Sequence, residues 1–191
     1  MCSSDLVKEL AAWLKANPKQ ASYGTPGAGA LTHFLSIEFG RMIGVDMEHV
    51  PYRGSPPVVN DLIAGQIPIA ALGTSEFTQH HEGGTLRVIG TFTEGPSPFI
   101  KGVATMKSQG IDLVARSWYA FYGPVRMPRD LQMQLNKIIN DMVREPAVRQ
   151  RFLAMGVEAA GTTPEELTAI QKFDKDYWGP IVKRSGWKPD L

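Results

Sequence analysis

The stretch YGTPGAGALTH at residues 23–33 decides how the first part of this 191-residue chain folds. It predicts the end of a β-strand, then a glycine-rich turn, then the first turn of an α-helix. Such a turn leaves backbone N–H groups unpaired at a helix N-terminus, where the helix dipole also favours negative charge. The stretch therefore predicts either an anion-binding loop or a plain tight turn between strand and helix.

The motif fits some anion-binding loops better than others. A Walker A phosphate loop needs Lys and then Ser or Thr after its last glycine, but Ala30 and Leu31 stand there. A dinucleotide-binding loop needs a third glycine, which is missing, although Asp46 and Glu48 lie near the position of its acidic residue. A loop for a small carboxylate or phosphate requires only the glycines and the helix start. The nucleotide interpretation is therefore weakened but stays open.

Composition and charge exclude several classes of protein. Hydrophobic residues make up 43% of the chain and charged residues 20%, which is ordinary for a globular protein. The net charge of +1, without a basic stripe, argues against nucleic acid as a partner. Cys2 is the only cysteine, so neither an internal disulfide nor a cysteine-rich metal site is predicted.

The first residues do not resemble a natural N-terminus. Residues 1–6, MCSSDL, lack the charged and apolar regions of a signal peptide, and residues 2–6 match the translated end of a common sequencing adapter. We therefore expect a chain whose natural beginning is missing. We also expect it to aggregate or dimerise through apolar faces left exposed.

Helices and strands are predicted to alternate over most of the chain before its last third. The predicted helices are residues 7–16, 31–43, a segment between Ser55 and Gly65, 75–81, a short one near 106, 131–143, 147–155 and 164–182. The predicted strands are residues 22–24, 47–52, 67–72, 86–92, 112–115 and 118–122, the last an aromatic run assigned to core and hinge. Strand–helix–strand alternation predicts a parallel sheet flanked by helices. The change to helices near Ser117 predicts two domains, residues 1–116 and 117–191.

Three of the predicted strand ends lie at one edge of this sheet. Ligands of such sheets bind beyond the carboxyl ends of the strands. Residues 24–29, 52–55 and 73–75 each follow a strand, lead into a helix and offer small or hydroxyl residues. Arg53 could add a fixed positive charge, although a solvated surface arginine explains it at least as well. Together the loops predict an anion pocket.

Seven motifs in order resemble the substrate-binding proteins of tripartite tricarboxylate transporters, the Bug family. They are GTPGAG at 24–29 with His33, HVPYRGSP at 49–56, DLIAGQ at 61–66, GTLRVI at 84–89, SWYAFYGP at 117–124, EPAVR at 145–149 and GTTPEE at 161–166. The resemblance covers nearly all of the chain after residue 6. Two positions depart from the family pattern: Ala30 replaces a Ser or Thr, and Pro68 replaces a frequent acidic residue.

The resemblance implies a type II-like, two-lobed periplasmic-binding-protein fold that lacks the N-terminal part of its first lobe. Residues 1–116 would form most of the second lobe, and residues 117–191 the returning helical part of the first. The implied function is periplasmic capture of a small organic carboxylate, a di- or tricarboxylate or related acid, for delivery to a membrane permease or a sensor protein. No cofactor is implied. The positions that match the family's ligand loops are Thr25, Gly27, Ala28, Gly29, Tyr52, Arg53, Gly54 and Thr74.

No catalytic residues are predicted. His33 is expected to pack rather than to act as a base, and His80 and His81 diverge on a helix and make a poor metal pair. His49 alternates faces with its acidic neighbours along a strand, so no triad follows. The alternatives are a nucleotide-dependent α/β enzyme using residues 24–29 and a ligand-sensing effector domain of a transcription regulator.

Overall fold

The structure, a computed structural model, describes residues 6–189. The predictions about residues 1–5, including Cys2, lie outside this range. The helices of the described residues are α1 Val7–Ala16, α2 Leu31–Ile43, α3 Ser55–Ile63, α4 Thr74–Glu82, α5 Arg129–Arg144, α6 Pro146–Ala154 and α7 Pro164–Ser185. The strands are β1 Ser22–Thr25, β2 Glu48–Pro51 and β3 Ile69–Ala70. None of the described helices is long and apolar enough to cross a membrane.

The three strands form a parallel sheet in the order β2-β1-β3. Tyr23 in the central strand is paired with His49 on one side and with Ile69 on the other. The connection through α2 moves the chain to one side of β1, and the connection through α3 moves it across to the other. Right-handed crossovers of this kind place α2 and α3 on opposite faces of the sheet. The carboxyl end of β1 is therefore the point at which the strand order reverses.

Gly24 in β1 allows one face of the sheet to pack closely. A Cβ atom at Gly24 would lie 2.5 Å from Cδ1 of Ile67 and 3.0 Å from Cγ1 of Val58. Val58 belongs to α3 and is fully buried, as is Leu14 of α1. The spacing of apolar residues that predicts these helices thus also identifies which face of each helix is buried.

The chain divides into two compact units. One contains the residues through Ser117 together with those from Ile181 onward, and the other is Trp118–Pro180. Within the second unit, the side-chain amide of Asn136 donates to the Thr162 carbonyl at 2.8 Å. Glu166 accepts from the Thr163 N–H at 2.8 Å, and the Thr163 hydroxyl accepts from the Glu166 N–H at 3.1 Å, a capping box at the start of α7. The two compact units are defined by contacts alone and do not identify the lobes. The predicted domains, residues 1–116 and 117–191, therefore stay a prediction.

Three of the predicted strands are wrong. Residues 86–92 and 112–115 are not strands; an isolated parallel bridge links Thr91 to Thr105. Residues 118–122 pair with no strand among the described residues. Aromatic and β-branched residues favour extended backbone, but a strand also needs a second backbone to pair with. Tyr119 and Phe121 are 87% and 73% exposed, so a core role for the aromatic run is also wrong.

Candidate ligand-binding site

Backbone hydrogen bonds hold the three predicted loops together at the carboxyl edge of the sheet. The Tyr52 N–H donates to the Thr25 carbonyl at 3.0 Å, and the Gly54 N–H donates to the Pro26 carbonyl at 3.0 Å. After β3, the Ala71 N–H donates to the Gly24 carbonyl at 3.1 Å, and α4 then begins at Thr74. The sheet thus places the three loops beside one another, as the sequence predicts.

The turn between β1 and α2 is rich in free hydrogen-bond donors. Among the described residues, no partner is found for the backbone N–H groups of Gly27, Ala28, Ala30, Leu31 and Thr32. The hydroxyl oxygen of Thr32 is buried and also has no hydrogen-bond partner. Ala30 stands at the N-cap of α2, where no side chain caps the helix. These donors lie at the positive end of the helix dipole and suit an anion.

Gly29 differs from its neighbours because its N–H is already engaged. It donates to Nδ1 of His33, one helical turn later, at 3.1 Å. Gly29 has φ +77°, and a Cβ atom there would overlap the indole ring of Trp187. Only glycine fits this backbone and this contact. Gly29 therefore shapes the loop, while its N–H is not free for a ligand.

Two stacked histidines lie beneath the turn. The rings of His33 and His49 are 3.9 Å apart between centroids, with an interplanar angle of 17°, and Tyr23 stacks on His49 at 5.0 Å. Nε2 of His49 lies 2.7 Å from the hydroxyl oxygen of Thr25, and that hydroxyl donates to the Gly27 carbonyl at 3.2 Å. Because a hydroxyl has one hydrogen, His49 Nε2–H is the donor to Thr25 in this arrangement. We call Tyr23, His33 and His49 the aromatic cluster.

The aromatic cluster is held uncharged at neutral pH. Burial lowers the pKa of His33. Burial, together with the neighbouring His33, lowers the pKa of His49 to about 4. Burial raises the pKa of Tyr23 to about 12. Both imidazoles are therefore neutral, which lets Nδ1 of His33 accept a hydrogen bond.

The second loop contributes an exposed cation. The Tyr52 hydroxyl donates to the Asp61 carboxylate at 2.8 Å, and burial together with this carboxylate raises the pKa of Tyr52 to about 12. Gly54 has φ +97°, which favours glycine at this position. Arg53 between them is exposed, and no ion pair is found for it among the described residues. Its guanidinium is therefore available to an anion at this edge of the sheet.

The site lacks an accessible pair of nucleophile and base. Thr25 and His49 have the hydrogen bond of such a pair, but Thr25 is fully buried and its hydroxyl hydrogen is directed to the Gly27 carbonyl. In the part of the chain that the structure describes, no three His, Cys, Asp or Glu side chains cluster as metal ligands. The arrangement is suited to binding an anion rather than to activating a nucleophile.

Two cavities occur elsewhere in the first unit. One, of about 440 Å³, lies at the amino end of the sheet and is lined in part by Ser22 and Glu48. The other, of about 290 Å³, lies between α3 and α4 and is lined in part by Val59 and His80. Neither is lined by the predicted ligand-binding residues.

The parallel sheet, with free N–H groups at the helix N-terminus that follows its central strand, defines an α/β unit whose geometry suits an anion. Residues 3–187 match the family described as the tripartite tricarboxylate transporter family receptor. The chain belongs to this family, and the resemblance inferred from its motifs is confirmed.

The relatives in sequence are distant but align over almost the whole chain. The chain is 26% identical to protein BugT of Bordetella pertussis over 185 residues, which is 96% of this chain and 57% of that protein. It is 26% identical over 180 residues to a Pseudomonas sp. protein encoded in the tcbD–tcbE intergenic region, covering 92% of this chain and 53% of that protein. The chain thus spans about half the length of these curated relatives.

Solved structures show the same fold. A structure described as a periplasmic transporter has a TM-score of 0.86 and 28% identity, covering 98% of this chain and 63% of its own. The periplasmic binding protein BugD has a TM-score of 0.82 and 24% identity, covering 96% and 62%. R. palustris Rpa4515, solved with adipate, has a TM-score of 0.83 and 21% identity, also covering 96% and 62%. The predicted periplasmic-binding-protein fold, with a parallel sheet flanked by helices, is confirmed.

Proposed function

We propose that this chain is a large part of a periplasmic solute-binding protein that captures a small organic carboxylate and delivers it to a membrane permease. The observation that carries the proposal is the donor-rich turn before α2, with the exposed Arg53 in the adjoining loop. Backbone N–H groups at a helix N-terminus bind a carboxylate without needing a particular side chain. Membership of a transporter receptor family supports both the ligand and the permease, while a sensor protein is the alternative partner.

The ligand-binding residues divide into three roles in this proposal. Gly27 and Ala28 donate their N–H groups, and Arg53 supplies positive charge. Thr25, Gly29 and Gly54 shape the loops. Tyr52 and Thr74 line the sides, since each follows a strand at the same edge of the sheet. Solved relatives with adipate and, in MatC from Rhodopseudomonas palustris, with malate make a di- or tricarboxylate or related acid the ligand class we propose.

The proposed mechanism uses two lobes. Residues 1–116 form most of the second lobe, and residues 117–191 form the returning helical part of the first. A carboxylate held by both lobes stabilises the closed state in proportion to its greater affinity for that state. The closed, loaded protein is then the form that the permease recognises.

We propose binding without catalysis. The Thr25–His49 pair is buried, so a substrate cannot reach it in this arrangement. A nucleotide-dependent enzyme, the first alternative, would need groups for phosphates that this loop lacks: Ala30 stands in the place of the Walker lysine, and the Gly29 N–H is engaged by His33. An effector domain of a transcription regulator, the second alternative, would bind its ligand in the same loops but would need an attached DNA-binding segment.

Calorimetry of the purified full chain tests this proposal. The panel is adipate, malate, citrate, glutamate, NAD and ATP, each followed by thermal shift and titration. A ligand at about a hundred times its Kd stabilises the folded state by about 2.7 kcal/mol, which gives a measurable shift. We expect a response to one class of carboxylate and none to the nucleotides. A response to NAD or ATP alone would contradict the proposal and favour the nucleotide-dependent enzyme.

Arg53 provides the matched variant for this experiment. We expect Arg53→Met to weaken binding of the responding carboxylate roughly tenfold, because a charge-assisted hydrogen bond contributes about 1.5–3 kcal/mol. Arg126→Met, which removes an exposed arginine of the second unit, is the control and should leave the Kd unchanged. Equal affinities for the wild type and Arg53→Met would show that Arg53 does not contribute to ligand binding.

A further inference from the structure

We propose that His33 and His49 are positioning residues that fix the two peptide groups flanking Ala28, and so decide which backbone N–H the turn offers to a ligand. The inference rests on the proposed function for its ligand, but its structural part concerns the turn alone. Neither histidine needs to touch the ligand.

Each histidine controls one of the two peptide groups. His33 accepts the Gly29 N–H at 3.1 Å, which fixes the peptide group after Ala28. His49 lies 2.7 Å from the Thr25 hydroxyl, and that hydroxyl donates to the Gly27 carbonyl, which fixes the peptide group before Ala28. Thr25 is fully buried, so water does not compete for its hydroxyl.

Peptide geometry then determines the direction of the free donor. In a trans peptide the C=O and the following N–H point in opposite directions. The Gly27 carbonyl points inward to Thr25, so the Ala28 N–H points away from Thr25. Ala28 is exposed and its N–H has no partner among the described residues, so this donor is directed outward. Loss of the Thr25 bond would let this peptide group rotate and present the Gly27 carbonyl oxygen, which repels an anion. Loss of the His33 bond would release the next peptide group, so the turn would no longer be fixed on the other side of Ala28.

The ring stack holds the two bonds in one arrangement. His33 is contributed by α2 and His49 by β2, and β1 supplies Tyr23, which stacks on His49 at 5.0 Å. Tyr23 is the titratable side chain that faces the pair, and among the described residues no carboxylate or cationic side chain is found in contact with either imidazole ring. His33 accepts at Nδ1 only when that nitrogen carries no proton. The arrangement of the turn is therefore tied to an uncharged His33.

Amide exchange measured by NMR on the ligand-free full chain tests the structural part. His33→Leu removes the acceptor, whereas His33→Asn places a carbonyl oxygen near the position of Nδ1. We expect the Gly29 amide to be protected in the wild type and in His33→Asn, and to exchange roughly tenfold faster in His33→Leu, as is typical for loss of one hydrogen bond. His80→Leu is the control, since His80 lies on α4 and lines the cavity between α3 and α4. Unchanged protection of Gly29 in His33→Leu would overturn the proposal.

A pH titration of the wild-type chain provides a second test, which does not depend on whether a leucine variant folds. Acidification of the wild-type chain should move the Gly29 amide signal together with the ring signals of His33. A Gly29 signal that ignores the titration of His33 would contradict the proposal. His49→Leu should shift the Ala28 amide signal, whereas His49→Gln, which retains a donor near Nε2, should leave that signal close to its wild-type position. An unshifted Ala28 signal in His49→Leu would contradict the role of His49.

Titration with adipate then tests the consequence for binding. We expect His33→Leu and His49→Leu to bind adipate roughly five- to tenfold more weakly than the wild type, and His33→Asn and His49→Gln to recover most of the affinity. Equal affinity in a leucine variant whose Gly29 protection is lost would show that the histidines do not position the donor. A wild type that binds none of the carboxylates would refute the proposed function, while the exchange data would still decide the arrangement of the turn.

Discussion

At the scale of single residues, two glycines of one turn have different requirements. Gly29 has φ +77° and no room for a Cβ beside Trp187, whereas Gly27 has no positive φ, and a Cβ there would meet no atom within 4 Å. We expect Gly29→Ala to lower the free energy of unfolding by about 2 kcal/mol or more, from backbone strain plus steric overlap. Gly27→Ala should change it by less than about 0.5 kcal/mol. Urea denaturation of the two variants measures the difference, and equal stabilities would contradict the position of Trp187.

His49 predicts how stability depends on pH. Its pKa is about 4 in the folded chain and about 6.5 when unfolded, so only the unfolded chain takes up this proton between those values. The free energy of unfolding should therefore fall as the pH decreases from about 6.5 to about 4, by on the order of 2 kcal/mol after allowance for partial exposure. Above pH 6.5 His49 is neutral in both the folded and the unfolded chain, so it causes no further change in the free energy of unfolding.

Comparison of the wild type with His49→Gln isolates this contribution from that of the carboxylates. The difference in free energy of unfolding between pH 7 and pH 5 should be smaller in His49→Gln. Burial also lowers the pKa of His33, so His33→Asn should change the slope in the same direction. The same slope in wild type and variants would mean that the histidines take up protons at the same pH in the folded and the unfolded chain.

The predicted site residues show what sequence can reveal at this scale. The loops at residues 24–29 and 52–55 are predictable because glycines before helix starts are local signals, and the structure brings both loops to one edge of the sheet. The role of His49 was missed because its place beside Tyr23 depends on the register between β1 and β2, which the alternation within one strand does not specify. Trp187 was missed because it reaches Gly29 from a distant part of the sequence, for which no local pattern exists.

At the scale of elements, α2 is held by a buried carboxylate. Glu38 is 4% exposed and accepts from Arg41 at 2.8 Å and from Arg184 at 2.6 Å. Burial tends to raise the pKa of Glu38, but the hydrogen bonds and charges of Arg184 and Arg41 outweigh it, so the pKa is lowered. The ion pair between Glu38 and Arg184 thus connects the end of α7 to α2 within the first unit.

We expect either Arg184→Met or Arg41→Met to destabilise the first unit by about 1 kcal/mol, because each arginine is half exposed and Glu38 keeps one partner. The double variant should cost about 3 kcal/mol or more, since it leaves a buried charge unpaired. Chemical denaturation of the four proteins gives the coupling energy. Additive losses would show that the two arginines do not share Glu38.

Helices were predicted more accurately than strands, for a physical reason. The predicted spans 7–16 and 31–43 coincide with α1 and α2, because helix hydrogen bonds and apolar spacing are both local in sequence. Residues 86–92 and 112–115 have strand-like composition, yet they form no ladder. Whether such a segment becomes a strand depends on a partner backbone, which composition does not specify.

At the scale of the whole molecule, the second unit exposes many of its apolar side chains. Tyr119, Val125 and Ile138 are 87%, 102% and 62% exposed, and Phe173 is 68% exposed. Apolar side chains exposed to this extent favour association in water. We therefore expect the 191-residue chain to self-associate, and light scattering across a range of concentrations should show a mass that rises with concentration.

Two lysine variants separate this surface from the rest of the chain. Ile138→Lys, on α5 of the second unit, should lower the extent of association because a charge buried in an apolar contact is costly. Ile63→Lys, on a side chain of the first unit that is 39% exposed, is the control and should associate like the wild type. A monodisperse wild-type monomer that unfolds cooperatively would show that the exposed apolar residues are tolerated. Equal association of the two variants would show that the contact between chains lies outside α5.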